Sequence, residues 1–168
     1  VRSVGKTIRP QEGVPVRMLS EEVDILIDNS VAYVKCVFTL VSEGPADTVL
    51  VGFPRGWERE LYDFKAWMHQ TDLSVQSGAT EPEYSGELGE IKWWKTFSVP
   101  FRAGRDTVQV HNGYWTLLAG PGERSNADLK FTYVLRTGAL WQDTIEDGRI
   151  TITLRNTQTR LNSSGEKS

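Results

Sequence analysis

Apolar and polar residues alternate along this chain in about nine short runs between Val23 and Leu154, each ended by a cluster of Gly, Pro, Asn or Asp. A period of two sends successive side chains to opposite faces, so each run predicts a half-buried β-strand. Strands of this length and spacing predict an all-β domain, an antiparallel β-sandwich of immunoglobulin-like or jelly-roll-like type. A closed barrel is the alternative.

The first strand is expected from Val16, with Val23, Ile25 and Ile27 on one face, and Asp28, Asn29 and Ser30 make a tight turn. Val31 to Val41 carries the clearest alternation: Ala32, Val34, Cys36, Phe38 and Leu40 inward, Tyr33, Lys35, Val37 and Thr39 outward. Val49, Val51 and Phe53 share the next face. Tyr62, Phe64, Ala66 and Met68 are then expected inward against Asp63, Lys65, Trp67 and His69, with Leu73 to Gln76 as the returning partner near a sheet edge. Ser77 to Glu90, rich in Gly and Glu, predicts a long loop. Ile91, Trp93, Phe97, Val99 and Phe101 form another inward face broken only by Lys95. Ala103, Gly104 and Arg105 turn the chain into a strand through Val108 and Val110 that ends near Tyr114 and Trp115. Beyond a second loop, Leu129, Phe131, Tyr133 and Leu135 share a face, and Ile150, Ile152 and Leu154 mark the last strand. One core is expected to hold Val34, Cys36, Phe38, Phe97, Phe131, Tyr133 and Ile152 together.

The 168 residues suit one domain, read as an extended arm over 1–15, a sandwich over 16–157 and a polar tail or linker over 158–168. A start at Val1 and a polar end suit a processed protein or a piece of a longer one. Cys36 is the single cysteine, so no internal disulfide forms, and its inward phase reads as a small buried hydrophobe. Nineteen basic residues against 22 acidic ones, scattered along the chain, argue against a nucleic-acid partner. No apolar run is long enough for a membrane helix, so no membrane insertion of this segment is expected.

Candidate chemistry is sparse. His69 and His111 fall on predicted outward faces outside any nucleophile motif, and a solvated strand histidine is the better reading of each. Zinc would need clustered His or Cys, which the chain lacks. Glu81, Glu83, Glu87 and Glu90 in the long loop, and Asp143, Glu146 and Asp147 before the last strand, offer oxygen ligands or paired carboxylates. Neither group has calcium-loop spacing, and any acid-rich sequence offers such pairs. No metal or cofactor is therefore expected. The six Trp say more. Trp67, Trp94 and Trp115 take the outward phase, with Trp57 and Trp141 in turns, so these five are the candidate binding residues. The plain alternative is that the arm and loops cover them.

Four stretches resemble a family of bacterial domains of unknown function: Val16-Arg17-Met18, the run Gly44 to Pro54, the strand Trp94 to Val99, and Phe131 to Trp141. The last is the most specific, and the likeness runs from about Val4 to Leu154. Gln142 to Gly148 departs from the pattern by being more acidic. The resemblance implies a domain outside the cytoplasm, periplasmic or at the cell surface, and brings no activity, cofactor or catalytic residue. The expectation is thus a non-catalytic interaction or structural module of a larger envelope protein, with a protein or glycan of the envelope as partner. A carbohydrate-binding module with an aromatic platform is the alternative, and a hydrolase using loop carboxylates stands behind it.

Overall fold

Asn29 and Ser30 are all that separate the two longest strands in the first half of the chain, and Asn29 takes the left-handed conformation (φ 52°) that a two-residue hairpin turn requires. The computed structural model describes residues 9–10, 16–54, 60–78, 94–118, 131 and 145–156. Its strands are β1 (Arg9–Pro10), β2 (Val16–Asp28), β3 (Val31–Ser42), β4 (Asp47–Pro54), β5 (Tyr62–Met68), β6 (Thr71–Asp72), β7 (Gln76–Gly78), β8 (Trp94–Phe101), β9 (Asp106–Leu117) and β10 (Asp147–Arg155). They form a four-stranded sheet in the order β1-β4-β8-β7 and a six-stranded sheet in the order β10-β2-β3-β9-β5-β6. The architecture is the all-β sandwich that the alternation predicts.

Two sheets bury their inner faces against each other because their long central strands supply apolar residues at mostly alternate positions. The larger sheet contributes Val23, Ile25, Val34, Cys36, Phe38, Leu40, Ala66, Val108, Val110 and Tyr114. The smaller sheet answers with Val49, Val51, Phe53, Phe97, Val99 and Phe101. Phe38, Phe53 and Phe97 are fully buried, each worth about 1.5–3 kcal/mol of transfer free energy. Lys95 breaks the inward pattern at little cost, since it is only half-buried and its ammonium donates to Ser77 Oγ on β7 at 2.7 Å. Arg9 and Pro10 pair with Gly52 and Val51, so part of the arm adds an edge strand to the smaller sheet. Pro suits an edge because it has no N–H to give to a ladder.

Four expectations need correction. β10 runs parallel to β2, from Asp147 beside Ser20 to Arg155 beside Asp28, so the larger sheet is mixed. Ile152 is 47% exposed and outside the core, because β10 is the outermost strand of that sheet; Ile150 beside it is exposed too. Tyr62 leaves the inward phase of Phe64, Ala66 and Met68 at a bulge between Tyr62 and Lys65. The strand through Val108 and Val110 continues past Trp115 to Leu117. Of the other core assignments, Val34, Cys36, Phe38 and Phe97 are buried together, and Phe131 packs partly buried against them. Tyr133, the expected strand around it, Ile91, Trp93 and residues 79–90 of the predicted long loop lie outside the described residues.

Candidate functional site

Register places three rows of side chains across β3, β9 and β5 on the outer face of the larger sheet. Tyr33, Trp115 and Tyr62 form the first; Lys35, Gly113 and Lys65 the second; Val37, His111 and Trp67 the third. Directly opposed residues on neighbouring strands stand close enough for their side chains to touch. The ring pairs bear this out. Tyr62 and Trp115 stack at 4.1 Å between centroids with planes 16° apart, and Trp67 stacks on His111 at 5.4 Å and 13°.

The bulge on β5 creates the first of these pairs. Asp63 and Phe64 together oppose the single residue Tyr114, and Asp63 takes a left-handed conformation with φ 51°. Asp is one of the few side chains that tolerate this region, although it still carries some strain there. Inserting one residue shifts the alternation by one, so Tyr62 comes out beside Trp115 while Phe64 still enters the core. The Asp63 carboxylate then accepts a hydrogen bond from the Trp115 indole N–H at 2.7 Å. That bond and the stack together hold the indole. In the third row, Trp67 leans over Gly113, where an added Cβ would lie 3.6 Å from the Trp67 ring atoms Cη2 and Cζ3. A methyl would meet the indole there in ordinary contact, whereas a larger side chain would compete for the space the indole occupies against the sheet.

Of the five candidate Trp residues, Trp67 and Trp115 share this face, half-buried, in the third and first of the three rows. Trp94 belongs to the other sheet, on β8 opposite Pro54 and Gly78. No single face therefore unites the three strand Trp residues. Trp57 and Trp141 lie outside the described residues, as do Glu81, Glu83, Glu87, Glu90 and Asp143. Glu146 and Asp147 are exposed, and Glu146 pairs with Arg17 at 3.6 Å. His69 sits in the β5–β6 turn with φ 57°. Among the described residues no group of three or more His, Cys, Asp or Glu could hold a metal ion, and no helix is long and apolar enough to cross a membrane.

Polar groups on the inner face escaped the sequence reading. Glu21 stands in phase with Val23 and Ile25, and Asn112 in phase with Val110 and Tyr114; both are buried. A charged or amide residue inside an inward apolar series is the signal that could have found them. Burial pushes the Tyr114 phenol well above its usual value, and the Cys36 thiol and Glu21 carboxyl add to that. Asp106 closes the β8–β9 turn, accepting bonds from the Arg102 backbone N–H at 2.8 Å and from its guanidinium at 2.9 Å.

No protein-family model matches the chain, and no curated protein matches it significantly. Solved structures do share the fold. A putative nutrient binding protein from Legionella pneumophila superposes with a TM-score of 0.63 at 21% identity, over 84% of this chain and 51% of its own. This chain thus spans about half the length of that protein. An M1 zinc metallopeptidase from Deinococcus radiodurans gives a TM-score of 0.42 at 13% identity over 91% of this chain and 35% of its own, a likeness too slight to carry any argument.

Proposed function

We propose that the chain is a non-catalytic interaction module of a larger envelope protein, placed outside the cytoplasm, and that it meets a protein partner through the outer aromatic face of its larger sheet. The observation that carries this is the braced pair Tyr62 and Trp115. A strained bulge and the carboxylate of Asp63 are spent on holding two rings at a surface. Aromatic side chains held in place give large contact area for little further loss of freedom, the property of interface anchors. Stacking favours a protein over a sugar here. Each ring already gives one face to its neighbour, whereas a sugar platform needs flat faces open to the ligand. A binding role agrees with the name of the Legionella protein that shares the fold. The extracytoplasmic placement rests on the resemblance of the four sequence stretches to bacterial domains of that kind.

Tyr33 tests this, being 47% exposed in the same row as Trp115 and Tyr62. A photo-crosslinking residue at position 33, in cells that make the native protein, should give a discrete protein adduct. The same residue at Ser98, exposed on the smaller sheet, should not. Equal labelling at both positions, or none at either, would remove the aromatic face as the contact, and a glycan adduct at 33 would return the carbohydrate-binding alternative.

A further inference from the structure

The carboxamide of Asn112 lies at the centre of the larger sheet's inner face, fully buried, and among the described residues neither its Nδ2 nor its Oδ1 has a hydrogen-bond partner. Its neighbours in register are short, Cys36 on β3 to one side and Ala66 on β5 to the other. Asn carries two N–H donors and a two-lone-pair acceptor, so an apolar enclosure would leave all of them unmet. In proteins an unmet buried polar group is disfavoured strongly enough that almost every such group finds a partner, from protein or from ordered water. The surroundings are not wholly apolar. Tyr114 follows Asn112 on the inward side of β9, and its buried phenol feels both the Cys36 thiol and the buried Glu21 carboxyl. Polar atoms of four residues on three strands thus gather within a core otherwise lined by apolar side chains.

We infer that Asn112 binds an internal water molecule, sealed between the two sheets in the space left by the short side chains of Cys36 and Ala66. A buried water makes about three hydrogen bonds, and roughly one occurs per 27 residues of a globular protein. The amide can supply both a donor and an acceptor to such a water. The site selects water over an apolar filler because Asn112 presents a full amide where Val108 and Val110, inward on the same strand, present only methyl groups. Its function is structural: it satisfies an amide that the alternation forces into the core and gives the sandwich a fixed polar point of register.

The test is water-to-protein cross-relaxation by NMR on the isotope-labelled 168-residue chain. The Asn112 side-chain N–H protons should show a cross-peak to water with the sign of a long-lived complex, and Asn112→Leu should abolish that long-lived water while the fold persists. No such cross-peak in the wild-type chain overturns the proposal, and so does a Leu variant that keeps the same long-lived water. Should Asn112→Leu fail to fold, a crystal structure of the wild-type chain decides. An ordered solvent peak about 3 Å from the amide supports the site, and an amide bonded only to protein groups rejects it.

Discussion

The Tyr62 ring lies 4.1 Å from the Trp115 ring, although the apolar alternation of its own strand would send Tyr62 inward with Phe64. One residue, Asp63, accounts for the difference. Its left-handed backbone inserts the bulge, and its carboxylate takes the Trp115 N–H.

Asp63→Ala should therefore destabilise the fold by about 1–2 kcal/mol, from a lost hydrogen bond and a β-carbon residue forced into the left-handed region. Asp63→Asn, which tolerates that conformation and keeps an acceptor, should cost less than half as much. Urea unfolding of both variants checks this, and an Ala variant within about 0.3 kcal/mol of wild type would show that the bulge does not depend on Asp63.

Phe38 and Ile152 separate core from edge. Phe38→Ala should cost about 3–5 kcal/mol, since its fully buried ring leaves a cavity. Ile152→Ala should cost under about 1 kcal/mol, because the side chain is 47% exposed. Equal losses in denaturant midpoints would mean that Ile152 is covered in solution.

Gly113 tests the seat of Trp67. A Cβ there meets the indole at an ordinary contact distance of 3.6 Å, so Gly113→Ala should be neutral or stabilising by up to about 1 kcal/mol. Gly113→Val adds methyl groups that the indole must move away from. The Trp67 indole resonance should shift in the Val variant and hold in the Ala variant; an unmoved resonance in both would place the ring elsewhere.

Asp106 sets an acid limb of stability. Hydrogen bonding from the Arg102 guanidinium, with the Arg102 backbone N–H second, holds its carboxyl below the ordinary value. The folded state therefore binds this proton less readily than the unfolded chain. The stability is complete above the unfolded carboxylate value of about 3.9 and is lost as pH falls through the lower folded one. Asp106→Asn should lower the melting temperature at neutral pH and flatten its fall below about pH 4. A variant whose acid limb parallels the wild type would assign that limb to other carboxylates.

The alternating pattern was enough to place the strand from Val31 to Val41 and its inward series, the tight turn around Asn29 and Ser30, and the buried faces of Val49, Val51 and Phe53 and of Phe97, Val99 and Phe101. It also set Trp67 and Trp115 on the outward phase of their strands. A period of two is a local property, readable wherever one face is buried along an unbroken strand. It could not show that Trp94 joins the other sheet, because sheet membership is decided by which distant strand supplies the hydrogen-bond partners. The same limit hid the parallel pairing of β10 with β2 and the exposure of Ile152 that follows from its edge position. Asp63 defeated the pattern differently: a single left-handed residue restarts the alternation, and only the ladder with β9 reveals where. Side-chain faces were thus legible from residue order, whereas partners, strand direction and the one-residue slip that builds the aromatic face came from contacts between segments far apart in the chain, where the energy of closing both sheets over one core chooses among arrangements that are locally equivalent.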